Sequence, residues 1–184
     1  MKLKDICTLL FSIPIKNKIP IIEKNFWITQ ADLKENNVTE INETYIDFDL
    51  KTCIKPVKND ILIKRNNPTY VNIYDDDRET YLGNNLVIVR TQQIDVKYLA
   101  FIIEQQLEKL NALTNNSTFS KALNREMLEQ IDVIETDTMK QKIIGEIWLL
   151  NKKKNQLMEN LMVNEKLKQK LTQQKIYNNL GEIK

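Results

Sequence analysis

The sequence predicts an α+β protein, with a mixed or antiparallel-sheet domain over residues 1–135 and a long coiled-coil helix over residues 136–184. Three observations carry this prediction. Short β-branched or aromatic runs bounded by turn residues recur between Phe26 and Val89. A single amphipathic helical period follows at about residues 95–113. From Thr138 to about Leu180 there is neither Pro nor a turn cluster, and Lys, Gln, Leu, Glu and Met dominate.

The strands are expected at Phe26-Trp27-Ile28-Thr29, Ile61-Leu62-Ile63, Tyr70-Val71-Asn72-Ile73-Tyr74 and Leu86-Val87-Ile88-Val89. The acidic run Asp75-Asp76-Asp77 reads as a solvated turn, since no partner acid stands at ligand spacing for a cation. Asp95 suits the N-cap of the first helix, whose Val96, Leu99, Ile103, Leu107 and Leu110 fall on one face. The polar stretch Thr114-Asn115-Asn116-Ser117-Thr118 reads as the loop that ends it. A short helix from about Ser120 to Glu129 and a strand at Ile131–Ile134 complete the domain. As one helix, the segment from Thr138 would span roughly 60 Å at about 1.5 Å per residue. Its Ile143, Ile147, Leu150, Leu157, Leu161 and Leu171 follow a heptad that Lys154, Asn164 and Lys168 interrupt.

Composition excludes several kinds of chemistry. The chain has 184 residues, 42% of them hydrophobic, and no His, which removes the usual zinc sets and His-based triads. Its two Cys, Cys7 and Cys53, read as small buried hydrophobes rather than reactive thiols. No apolar run reaches the roughly 20 residues of a membrane helix, no signal peptide is visible, and the chain reads as cytoplasmic. Net charge is +2. Residues 140–184 carry ten Lys against four Glu, so the preceding 139 are acidic on balance. Within that acidic part, residues 51–70 hold Lys51, Lys55, Lys58, Lys64 and Arg65 against Asp60 alone. A nucleic-acid reading must therefore rest on a local patch.

Two catalytic readings fail on the sequence. Asn66-Asn67-Pro68-Thr69-Tyr70 is one residue away from the Asn-Pro-Pro-Tyr loop of adenine methyltransferases, yet glycines occur only at 83, 145 and 181 and none builds a methyl-donor turn. A turn with Pro68 setting φ is the better account. For a metal nuclease, Asp60 and Lys64 stand too close along one strand to converge on an ion.

The order of several segments along the chain carries a resemblance. Leu3-Lys4-Asp5-Ile6 with Ile13-Pro14, Trp27-Ile28-Thr29-Gln30-Ala31-Asp32-Leu33, Asn59-Asp60-Ile61-Leu62-Ile63-Lys64-Arg65, Leu86–Arg90, Asp95-Val96-Lys97-Tyr98-Leu99, Ile131–Ile134 and Gln141 with Ile143 follow one another. In that order they resemble a type I restriction–modification specificity subunit: half of one, a target-recognition domain and a single spacer helix. The sequence departs from the family at Asn59, where a Gly is usual, after Lys64-Arg65 and in the 114–118 loop, where glycines are absent, and at Glu135–Thr138, which lacks the Pro-rich approach to the helix.

The resemblance implies sequence-specific recognition of double-stranded DNA, without catalysis, cofactor or metal. The methyl donor and ATP would belong to partner chains, a methyltransferase subunit and, in the family, a restriction subunit. For DNA contact the sequence offers Lys58, Lys64, Arg65, Asn66, Asn67 and Tyr70 in one segment, and Asn115, Asn116, Ser117, Thr118 and Lys121 in another. Lys and Arg suit phosphate or guanine, and Asn suits paired hydrogen bonds to adenine. The stripe Ile143, Ile147, Leu150, Leu157, Leu161, Asn164 and Leu171 is expected to pair with a partner helix, most simply in a homodimer. The competing expectation is a protein–protein module that dimerises through this helix without reading DNA.

Overall fold

The computed structural model describes residues 1–12, 18–36, 41–48, 50, 53–116 and 122–181. Among the described residues seven strands form two sheets: β1 (Cys7–Phe11), β2 (Lys18–Ile28), β3 (Asn42–Phe48), β4 (Ile61–Lys64), β5 (Val71–Ile73), β6 (Thr80–Leu82) and β7 (Leu86–Thr91). The first sheet has the order β1-β7-β4-β5 and is antiparallel throughout. The second has the order β3-β2-β6, with β2 and β6 parallel. Three helices follow, α1 (Val96–Asn116), α2 (Arg125–Glu129) and α3 (Thr138–Gly181).

The centre of the first sheet is buried on both faces, which explains its unbroken apolar runs. On β4 and β7, Ile61, Ile63, Val87 and Val89 turn to the core under α1. The intervening Leu62, Leu86 and Ile88 turn to a second core with Ile28, Leu33, Tyr74 and Leu82. The side-chain period of two sends successive residues into different cores. Each fully buried Ile or Leu contributes about 1.5–3 kcal/mol. Asp60, at the mouth of β4, is 1% exposed and accepts two hydrogen bonds from Arg90, at 2.8 and 2.7 Å. A buried carboxylate needs such a partner.

The Asp95 cap is present: its Oδ1 accepts from the backbone N–H of Lys97 at 3.0 Å and of Tyr98 at 2.9 Å. The Tyr98 hydroxyl donates to the carbonyl of Ile134, and Leu99 is fully buried. Gln141 in turn accepts from the Asp95 N–H and donates to the Thr136 carbonyl, which joins the start of α3 to the start of α1.

Several local expectations are corrected. Helix α1 runs through Asn116, so Asn115 and Asn116 occupy its last turn rather than a loop. No Gly or Pro interrupts that stretch, and its polar residues only weaken the helix. The second helix starts at Arg125, capped by Asn124, instead of near Ser120, which lies outside the described residues. Ile131–Ile134 is not a strand but one bridge, Lys2 with Asp132, because the chain opposite coils at once into the Leu3–Asp5 turn. Strands β1, β3 and β6 were not anticipated. Cys7–Phe11 is a short run of mostly apolar residues, β3 opens on three polar residues without alternation, and β6 has only three residues. Cys7 packs against the core, and burial raises its thiol to about 11, so it is a structural residue.

Helix α3 is a single element of 44 residues whose first part lies along α1. Ile144, Trp148 and Lys152 face the domain, a stripe at i, i+4 on the side away from the heptad. The helices approach so closely at Gly145 that a Cβ there would stand 2.7 Å from the Lys97 Cβ and from the Tyr98 nitrogen. No helix among the described residues is long and apolar enough to cross a membrane.

Two predictions follow from this packing. Gly145→Ala should destabilise by about 1–3 kcal/mol through overpacking, although Ala favours a helix by about 1 kcal/mol. Thermal unfolding measures this, and a raised Tm would mean that α3 does not dock here. Among the described residues the backbone is left-handed at three positions, all Asn: Asn59 (φ 72°), Asn67 (φ 48°) and Asn85 (φ 62°). Asn tolerates this region better than other side chains. Asn59→Gly should therefore leave Tm nearly unchanged, whereas Asn59→Ala should cost roughly 1–2 kcal/mol.

Candidate nucleic-acid interface

The left-handed asparagines bear on the family's glycines. Asn59 stands where the resemblance has Gly, and Asn66-Asn67 follow Lys64-Arg65, after which another is missing. Asn59 and Asn67 adopt the conformation for which glycine is ordinarily chosen. The turn at 65–70 is thus built without glycine, with Asn66 and Asn67 exposed at its tip.

Lys64 and Arg65 leave the end of β4 on opposite sides of the sheet. Lys64 shares the side of Leu62; its Nζ donates to the Tyr70 hydroxyl at 2.5 Å and lies 4.7 Å from the ring centroid. The Tyr70 hydroxyl donates onward to the carbonyl of Leu33 at 2.8 Å. Leu33 ends the Asp-Leu pair, and Asp32 before it accepts from Thr29 and Asn42. Tyr70 is therefore a support for Lys64. Its hydroxyl is used twice within the protein.

Arg65 lies on the α1 side. Its Nε donates to the Leu123 carbonyl at 3.1 Å, and its backbone carbonyl accepts from the Leu123 N–H at 2.8 Å. This reciprocal pair brings residues 122–125 to the 65–70 turn. Leu123 lies beyond the second expected contact segment, so this pair joins the turn to the approach to α2. Ser117, Thr118 and Lys121 lie outside the described residues.

Lys58 does not join them. It precedes β4 while Lys64 ends it, so the strand separates the two. Its ammonium pairs with Asp75 at 3.1 Å and Asp77 at 3.7 Å, and the hydrogen bond it donates to Asp75 raises its pKa. Asp76 is taken by Arg78, whose hydrogen bonds hold its carboxyl at about 2. The acidic run is a charge-paired turn, and no group of three metal-ligating side chains occurs among the described residues.

Glu104 of α1 joins the turn to the long helix. Its carboxylate accepts from the Val71 N–H at 3.1 Å, from Trp148 Nε1 at 3.2 Å and from Lys152 Nζ at 2.7 Å. The Lys152 side chain is 8% exposed and also donates to the Glu35 carbonyl at 2.5 Å. A cavity of about 420 Å³ opens beside these groups, between Tyr70, Phe101 and Ile147. Periodicity did not single out Lys152, since a Lys among Lys153 and Lys154 looks solvated; the i, i+4 spacing from Trp148 was the available signal.

The heptad residues stay uncovered: Ile143, Ile147, Leu150, Leu157, Leu161 and Leu171 are each at least half exposed. Asn164 is exposed beside them.

Comparison with known proteins adds the fold. Neither a protein-family model nor a curated protein sequence matches this chain. Among solved structures it is similar to the HsdS subunit from Thermoanaerobacter tengcongensis, at 14% identity and a TM-score of 0.58, over 85% of this chain and 39% of that one. It is similar to a chain from a study of complex assembly and conformational transition in the type I R-M system, at 12% identity and a TM-score of 0.65, over 91% of this chain and 41% of the other. A third likeness is to the type I restriction–modification S subunit from M. genitalium, at 15% identity and a TM-score of 0.58, over 93% of this chain and 43% of that one. The chain spans about two-fifths of the length of these structures, and over that span it shares the α+β fold of type I restriction–modification S subunits.

Proposed function

We propose that this chain reads DNA sequence for a type I adenine methyltransferase and performs no chemistry itself. The observation that carries the reading is the likeness of fold along nearly the whole chain. The turn with exposed Asn66 and Asn67, flanked by Lys64 and Arg65, supplies the matching chemistry. Asn side chains can read adenine in the major groove, while the two cations grip phosphate. The proposed partners are double-stranded DNA and a methyltransferase subunit, with, in the family, a restriction subunit. Those subunits bring the methyl donor and ATP, so this chain needs no cofactor. Mapping methylated adenines in a host with and without the chain tests this directly, because loss of the chain should remove one methylated sequence.

A protein–protein module is the second reading, favoured by the internal pairing of the basic segment. Lys55 pairs with Glu79 and Lys58 with Asp75. It requires co-purification with a methyltransferase subunit without any sequence-dependent DNA binding.

Lys64→Ala should weaken binding of the assembled complex about equally on all duplexes and lower the salt slope by about one. Asn66→Ala, and Asn67→Gly with its backbone preserved, should instead relax preference at one base pair by about 1–3 kcal/mol. Unchanged affinity and preference in all three variants would place the DNA face elsewhere.

The uncovered stripe on α3 supports a homodimer with antiparallel helices. Burying each Leu would contribute about 1.5–3 kcal/mol. Lys154, Asn164 and Lys168 would restrict the register. A two-fold axis would put recognition domains at opposite ends, so the DNA site would be an inverted repeat around an unread spacer. Light scattering at micromolar protein should show a dimer, and Leu157→Glu with Leu161→Glu should dissociate it. A wild-type monomer unaffected by these changes would leave the stripe to a methyltransferase or a second specificity chain.

A further inference from the structure

We infer that Arg65 and Arg125, gathered on the ring of Phe11, form a phosphate-binding site. Phe11 ends β1, half-buried against the core. The Arg65 guanidinium lies 5.5 Å and that of Arg125 5.0 Å from its ring centroid. Two cations therefore share one aromatic ring. Each contact with the ring is weak at an exposed site, and like charges brought together repel.

The protein holds both guanidinium groups by one edge. Arg65 donates through Nε to the Leu123 carbonyl, and Arg125 donates through Nη2 to the Leu9 carbonyl at 3.0 Å. Among the described residues, the carboxylate paired with either is Glu129, 3.7 Å from Arg125 Nη1. The Arg125 side chain is 55% exposed. What remains is a fixed, excess positive charge with N–H groups free of described acceptors. A tetrahedral anion suits it, because a planar guanidinium meets two oxygens at once and is already oriented.

The site stands at the end of β4, beside the 65–70 turn and on the sheet face opposite Lys64. A backbone phosphate held there would place its duplex against Asn66 and Asn67 while Lys64 gripped from the other side. This assignment to DNA rests on the proposed function; the anion site itself does not. Arg125 could not be chosen from sequence, where it adjoins Glu126 in a short helix.

Two measurements test the site. In the full chain, titration with inorganic phosphate, followed by NMR of the arginine Nε–H groups, should shift Arg65 and Arg125. Arg125→Gln removes the charge yet keeps an amide able to reach the Leu9 carbonyl, and it should abolish the Arg65 response. In the assembled complex, Arg125→Gln should lower affinity about tenfold for matched and unmatched duplexes alike, with the salt slope reduced by about one. Arg125→Lys should keep that slope and lose part of the affinity. Tm accompanies each variant, so that a general loss of folding is separated from a local one; if Arg125→Gln unfolds, the Arg125→Lys comparison decides. Phosphate shifts without any duplex binding by the wild type would remove the DNA assignment and leave the anion site. Absent phosphate shifts, with a wild-type salt slope in Arg125→Gln, would overturn it.

Discussion

The two-sided burial of the β4–β7 pair is the constraint on which the rest of the structure depends. A strand buried on one face can slip or turn at modest cost. Here a slip of one residue would exchange Ile61 and Ile63 with Leu62 between two different cores, which also hold α1 on one side and β2 on the other. The register is therefore strongly specified, and with it the point at which the chain leaves the sheet. Lys64 is the last residue before that point and Arg65 the first past it. Their divergence to opposite faces follows from the same alternation that fills the cores.

The helix is tied to this frame by polar groups rather than by apolar contact alone. Glu104 accepts from the first residue of β5, from Trp148 and from Lys152, so one carboxylate meets the sheet, α1 and α3 together. Removing one partner of such a buried pair costs more than the pair contributes. The close approach at Gly145 complements it, because α1 and α3 cannot come within that distance at a residue bearing a Cβ. Between these two points the direction of α3 relative to the turn at 65–70 is set. For a protein that reads two half-sites at a fixed separation, as proposed, that direction matters as much as any base contact.

Much of the fold was legible because it is written in short-range period. The Ile61–Ile63 and Leu86–Val89 runs, the capped start at Asp95 and the unbroken stretch after Thr138 each state their own structure. The misses were of a different kind. Asn115 and Asn116 read as a loop because propensity is weak there, yet a helix already begun continues through them. Ile131–Ile134 has the composition of a strand but lacks a long enough neighbour to pair with.

The candidate site was legible in part for the same reason. Lys64, Asn66 and Asn67 are close in sequence and remain close in space. The left-handed turns at Asn59 and Asn67 are also local, since an Asn can take the place of glycine there without help from the rest of the chain. Lys58 seemed to belong with Lys64, but an extended strand lies between them and the acids of the next turn neutralise Lys58. Arg125 seemed unrelated, yet Leu123 binds Arg65 and carries it to Phe11. Period and propensity are properties of neighbouring residues, and they determined the central strands, α1, and α3 with its exposed stripe. Which distant side chains meet depends on strand order and on the packing of two cores, so the grouping of charges at the end of β4 was decided only by the tertiary structure.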